Sequence, residues 1–145
     1  MDLITNRTQA DVDRVKEFTA RGWANLTADE QDEWRSGMKG AYNATDLNRV
    51  ETAVEKLAAR LGIEVTVKKT WSTVVMPTTE DMTRYLDNIR ALRKSCVILP
   101  TTPAVPATMT GLTYIKANDI EQILTDIELV LDAQVRCGEV FCGEV

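Results

Sequence analysis

Apolar residues in this chain recur at helical spacing behind an aspartate, and the phrase returns four times. Asp46 precedes Leu47, Val50, Val54 and Leu57; Asp81 precedes Met82, Tyr85, Ile89 and Leu92; Asp119 precedes Ile120, Ile123, Ile127 and Val130. Each set lies at offsets of 0, 3, 7 and 10, one face of an α-helix, with an acid in the first turn where the helix dipole favours it. Asp11 opens the phrase once more with Val12 and Val15, after which the stripe weakens to Thr19 and Gly22. The aspartates lie 35, 35 and 38 residues apart, near the length of a helical solenoid unit. Outside the stripe, however, the segments share no turn signature, so the spacing predicts four long amphipathic helices joined by loops, a bundle rather than a repeat array.

Caps set the boundaries. Thr8 starts a helix over Gln9–Arg21 that Gly22 stops, and Thr27-Ala28-Asp29-Glu30 is a capping box for a short helix ending near Gly37. Thr45 opens a third helix running to Leu61, with Gly62 as a left-handed C-cap; Thr78 with Asp81 opens a fourth over Thr79–Ser95; Thr113 caps a last one from Tyr114 to about Val135. Between them, Ile63-Glu64-Val65-Thr66-Val67 alternates with period two and reads as a short strand. Residues 68–78 form a loop carrying Trp71 and Pro77. Residues 97–111 include three prolines within seven positions and form an extended connector, expected to lie across the bundle with its valines, isoleucine and leucine buried. The chain therefore reads as mainly α: one helical domain over 1–136 with a minor β element. A strand-like tail follows over 137–145, placed to pair with residues 63–67 or with a partner's edge.

Composition narrows the chemistry. The 145 residues include no histidine, which excludes Ser-His-Asp and Cys-His catalysis, histidine-ligated zinc and a histidine pH switch. A chain of this length buries roughly 70% of the surface its unfolded form exposes, enough for a core of its own. With 17 basic against 22 acidic residues and a pI near 4.8, it lacks the basic stripe of a nucleic-acid binder. Lys68-Lys69 and the group Arg90, Arg93 and Lys94 are the only basic clusters, and the second complements a helix C-terminus. No stretch is long and apolar enough to span a membrane, and Met1–Ala10 has no signal-peptide core. The Asn-x-Thr sequons at Asn6, Asn25 and Asn43 are better explained by threonines that cap or nearly cap the next helix.

The remaining reactive groups have structural readings. Cys137 and Cys142 are spaced Cys-x4-Cys and, with only Cys96 to add, are short of a zinc site; a disulfide between them is sterically open but not favoured in a cytosolic product. Cys96 continues the stripe of Ile89 and Leu92 as a small core residue. Asp29, Glu30, Asp32 and Glu33 crowd the short helix as a solvated acidic face, and the scattered glycines form no phosphate loop. No catalytic, cofactor-binding or metal-binding residues are assigned, and no cofactor or small-molecule substrate is expected. Trp23, Trp34 and Trp71, near helix ends or in loops, either seal the bundle or face a partner; Tyr42 either staples to Val50 or sits at an interface. With Glu139, Val140, Phe141 and Val145 of the tail, they are the candidate partner-contact residues.

Two phrases, Leu3-Ile4-Thr5-Asn6-Arg7-Thr8-Gln9-Ala10-Asp11-Val12 and Lys39-Gly40-Ala41-Tyr42-Asn43-Ala44-Thr45-Asp46-Leu47-Asn48-Arg49-Val50-Glu51, resemble the opening of small structural proteins encoded near the tail and baseplate genes of tailed bacteriophages and prophages. Pro77-Thr78 before Arg84-Tyr85-Leu86, Leu112-Thr113-Tyr114 before Ala117-Asn118-Asp119-Ile120-Glu121, and the closing paired Gly-Glu extend the likeness over nearly the whole chain. None of these phrases is a catalytic motif. The resemblance implies a non-catalytic virion protein of the tail or baseplate, made in the host bacterial cytoplasm, whose partners are other phage tail proteins. A rotationally symmetric homo-oligomer fits that setting. The alternative expectation is a cytoplasmic helical adaptor or regulator that binds a phage or host protein without entering the particle.

Overall fold

Among the described residues, four of the five α-helices begin on a reciprocal pair of hydrogen bonds that the sequence spells out as cap, two residues, acid. Helices α1 (Gln9–Arg21), α2 (Ala28–Ser36), α3 (Ala44–Leu61) and α4 (Thr79–Lys94) start on the capping boxes Thr8/Asp11, Thr27/Glu30, Asn43/Asp46 and Thr78/Asp81. Each satisfies two backbone N–H groups that would otherwise be orphaned. The third helix starts one residue earlier than Thr45 predicts, because Asp46 at the third helical position reaches back to the amide of Asn43 and so selects Asn43 as cap. Gly62 closes α3 with φ 68° and ψ 31°, the left-handed conformation expected of it. Helix α5 (Tyr114–Gly143) begins where Thr113 Oγ1 accepts the Lys116 amide.

The chain is described by a computed structural model that covers the backbone of residues 1–143 and the side chains of residues 1–135. It is mainly helical, and no strand occurs among the described residues. Three of the four stripes build the core: α3, α4 and α5 pack pairwise. Val50, Val54 and Leu57 meet Leu86, Ile89 and Leu92 and Ile120, Ile123, Leu124 and Ile127, all nearly free of solvent contact. Each such side chain contributes about 1.5–3 kcal/mol of hydrophobic stabilisation relative to exposure.

Helix α1 does not join the expected four-helix core. Its stripe fades after Val15, and its one buried residue, Phe18, packs instead with Leu26 and Met38 in a small second cluster. This α1–α2 corner, with a 3₁₀ turn over Trp23–Asn25 between the helices, is tied by Arg14 to Glu33 at 2.7 Å and by Arg21 to Glu30 at 2.7 and 2.8 Å. Gly40 brings the chain so close to α1 that a Cβ there would lie 2.1 Å from the Asp11 carbonyl oxygen. No side chain fits that approach.

Residues 63–67 are extended, with Ile63, Val65 and Val67 packed on the core as the alternation predicts, but they have no β-partner within the described chain. The expected pairing with the tail is not formed, because α5 continues as helix past Val135 to Gly143. A single interior glycine, Gly138, costs only about 1 kcal/mol and does not end it. The tail residues Glu139, Val140, Phe141 and Val145, and the pairing of Cys137 with Cys142, lie outside the residues whose side chains are described.

The proline connector runs between α4 and α5 without regular structure. Arg90 donates to the carbonyls of Pro106 and Ala107 at 2.8 and 3.0 Å, and Arg93 to that of Pro103 at 3.0 Å. These arginines hold the connector rather than merely complementing a helix end. Its apolar residues are less buried than expected: Val105 packs on the core, Ile98 and Leu99 are half-buried, and Val97 is 73% exposed. No helix of the described residues is long and apolar enough to cross a membrane.

The α1–α2 corner has a defined acid sensitivity. The Arg21 guanidinium and the Thr27 amide hold the Glu30 carboxyl down to about 2 from its ordinary 4.5. A carboxylate whose folded value is depressed stabilises the fold fully above its unfolded value and loses that contribution as pH falls through the folded value. E30Q should therefore be less stable than the wild type at pH 7, with the gap closing between pH 4.5 and about 2. Urea unfolding followed by tryptophan fluorescence across that range checks it, and a pH-independent gap would contradict it.

Candidate functional site

The residues singled out by sequence separate into two places. Trp23 and Trp34 stay on the surface of the α1–α2 corner, 43% and 39% exposed. Trp34 stacks on Phe18 with ring centroids 6.4 Å apart, and the Arg35 guanidinium lies 4.8 Å from the Trp23 ring centre. The Trp34 ring thus covers the Phe18 cluster on one side and meets solvent on the other. Trp71 instead goes inward, while Tyr42 is half-buried, packed on the core and lining the cleft between α4 and the connector. Trp71 is 4% exposed, its amide and carbonyl both bonded to Asn48 at 2.9 Å and its ring covered by the Lys68 ammonium at 3.8 Å. Its buried indole Nε1 has no partner. The Tyr42 hydroxyl meets that of Tyr85 on α4 at 2.5 Å, and burial pushes both phenols above their ordinary value, so both remain protonated.

Most of the carboxylates and basic groups are committed to each other. Glu30, Asp32 and Glu33 pair with Arg21, Arg35 and Arg14, so the acidic helix is a set of ties to α1 and within α2 as well as a solvated face. Cys96 is half-buried against the core, where desolvation raises its thiol. No three potential metal ligands are grouped among the described residues.

The most concentrated chemistry is a quartet in which the buried Arg7, Asp46 and Glu121 meet the half-buried Arg49. Arg7 Nη2 donates to Asp46 Oδ1 at 2.8 Å and to Glu121 Oε1 at 2.7 Å. Arg49 reaches both oxygens of Glu121, at 3.0 and 2.8 Å, and Asp46 Oδ1 as well. The Ile4 amide completes the set at 2.6 Å on Glu121 Oε2, and Arg7 spends its other nitrogens on the carbonyls of Ile4 and Lys39. Burial alone would lower the Arg49 guanidinium, but its bonds to Glu121 and Asp46 outweigh this and raise it further above its ordinary value. Both Glu121 oxygens accept two donors, the full capacity of a carboxylate. A group so saturated has no lone pair to offer a reactant, and the quartet, two cations against two anions, is a clamp. A second buried carboxylate, Glu51, is held likewise by Arg84 at 2.7 and 3.0 Å and by the Lys68 amide.

Comparison with protein-family models, curated proteins and solved structures gave no match to this chain. The candidate site therefore rests on the molecule's own surface. Between α4 and the end of the connector lies a cleft of about 610 Å³, with Leu47, Met82, Leu86 and Leu112 along its apolar lining and Thr78, Thr83, Thr108 and Thr110 among its polar residues. Its one guanidinium, Arg90, is engaged with Asp87 and the connector carbonyls. Beside it, the loop before α4 carries Val74, Val75 and Met76 at 87%, 42% and 84% exposure. Sequence reasoning passed over this tip while attending to Trp71 and Pro77. The usable signal was three consecutive large apolar residues inside a loop that no periodicity claims.

The quartet should behave as a unit. R7A leaves two buried carboxylates facing Arg49 alone, and breaking a buried pair from one side costs about 3–5 kcal/mol. Urea unfolding at pH 7 should show that loss, and a change under 1 kcal/mol would mean that the site is wet.

Proposed function

We propose that this chain is a non-catalytic interaction module that works by contact with other proteins, as a tail- or baseplate-associated component of a tailed phage or prophage particle. The exposed run Val74, Val75 and Met76 carries the contact reading. Apolar residues scattered singly over a surface are ordinary, whereas a contiguous group beside an apolar cleft with a polar rim marks a place where another surface sits. The tip leads through Pro77 and Thr78 directly into the cleft lined by Met82 and Leu86. One partner surface of apolar character covers both. The buried charges support the reading from the other side, since the quartet and the Glu51–Arg84 pair are spent on holding the fold.

The assignment to a phage particle rests on the phrases around Arg7–Asp11 and Tyr42–Glu51 and their likeness to tail-region proteins, not on the architecture. It makes the chain a virion component synthesised in the host cytoplasm.

Mass spectrometry of purified particles from a strain that encodes the chain tests the proposal. The protein should copurify with tails, and V74S/M76S, both changes at solvent-exposed positions, should lower its incorporation at least tenfold with an unchanged melting temperature. Absence from particles alongside abundance in the cytoplasm would overturn the virion role in favour of a cytoplasmic adaptor. Normal incorporation of V74S/M76S would overturn the role of the loop.

A further inference from the structure

We infer that residues 63–69 are a self-pairing edge, through which two copies of this chain join antiparallel about a two-fold axis at Thr66. The segment is extended and its side chains alternate, with Ile63, Val65 and Val67 toward the core and Glu64 and Thr66 exposed. One edge of its backbone is occupied from within. The Thr66 carbonyl accepts from Arg84 at 2.7 Å and Asn88 at 2.8 Å, and the Lys68 amide donates to Glu51 at 3.2 Å. In an extended chain the amide and carbonyl of successive residues point to opposite edges. The groups of Val65 and Val67 accordingly face away from α3 and α4, and none of these four has a hydrogen-bond partner among the described residues. An extended segment with one face buried and one edge bare is a template on which a strand can add.

Charge selects the occupant and the register. Antiparallel pairing about Thr66 sets the exposed Glu64 of each copy opposite the half-buried Lys68 of the other, whose ammonium lies over its own Trp71 ring, so that opposite charges face each other at both ends. On the inner face it sets Val65 opposite Val67, twice, so that the apolar rows of the two cores become continuous. Val65 and Val67 then form hydrogen-bonded pairs through the amides and carbonyls that the monomer leaves free, while Thr66 meets its own copy at a non-hydrogen-bonded position. A shift of the axis to Val65 would place Glu64 opposite Thr66 and lose both ion pairs. The interface is isologous and closes as a dimer.

Light scattering at rising protein concentration tests this with the full chain. The mass should climb from 16.2 kDa toward twice that value. E64K, which opposes lysines across both ends of the pairing, should weaken association roughly tenfold, and E64K/K68E should restore it. V65P removes a donor that the monomer does not use and part of the Val65 packing on the core, and should leave a folded, less stable monomer by circular dichroism. T66C should cross-link the dimer under mild oxidation, since non-hydrogen-bonded pairs bring Cα atoms within disulfide range, whereas S72C should not. A chain that stays monomeric at every concentration would overturn the inference and leave the edge to a strand of another protein. So would a dimer indifferent to V65P, or an E64K/K68E variant no better associated than E64K.

Discussion

A neutral cluster of four charges, buried where the N-terminal segment, α3 and α5 converge, sets the register on which the remaining architecture depends. Taking ions out of water costs several kcal/mol each, and attraction between them offsets this only when geometry is good and every donor and acceptor is used. Glu121 meets that condition through Arg7, Arg49 and the Ile4 amide. Arg7 in turn meets it through Asp46, Glu121 and two carbonyls. The amide and carbonyl of Arg7 are also paired, at 3.0 and 2.9 Å, with the Asn118 side chain. An apolar contact tolerates sliding by a turn, but this arrangement does not. It therefore fixes where the chain before α1 lies, and with it the otherwise lightly attached α1–α2 corner.

Local structure was largely legible in the sequence. Cap and acid spacing placed Thr8, Thr27 and Thr78 correctly, and Asp46 carried the information for Asn43 even though Thr45 looked the better start. The stripes of α3, α4 and α5 named the core. What escaped was tertiary. Glu51 follows Leu47 by four residues and precedes Val54 by three; Glu121 stands in the same relation to Ala117 and Leu124. A carboxylate in the phase of an apolar stripe is a mark of a buried partner, but the partners Arg84 and Arg7 come from 33 and 114 residues away and no local pattern names them. Alternation over 63–67 indicated an extended, half-buried segment and was silent on whether anything lies beside it. Helix α5 outran its apolar stripe, since backbone bonding propagates through residues that packing does not demand.

The aromatic residues that composition made conspicuous turned out to divide by depth. Trp71 belongs to the interior, Tyr42 lines the cleft beside α4, Trp34 screens a minor cluster through Phe18, and Trp23 stays at the surface under Arg35. Surface features with contact character lie instead on one connection between α3 and α4, the extended edge at 63–69 and the apolar tip at Val74–Met76. Trp71, pinned through Asn48 and covered by Lys68, separates the two and anchors the segment to the core. Such a connection can present flat and protruding surfaces without disturbing the three-helix core beneath it.

The proline connector shows a different division of labour. Arg90 and Arg93 grip main-chain oxygens of Pro103, Pro106 and Ala107 rather than side chains, and every residue type supplies such an oxygen. The route of the connector is thus written into α4, and the connector's own exposed positions, Pro100, Thr101, Ala104, Ala107 and Thr108, are released from that duty. Sequence drift there changes the face shown to solvent while the path stays the same, which makes this strip a natural place for variation among homologues and for grafting foreign side chains.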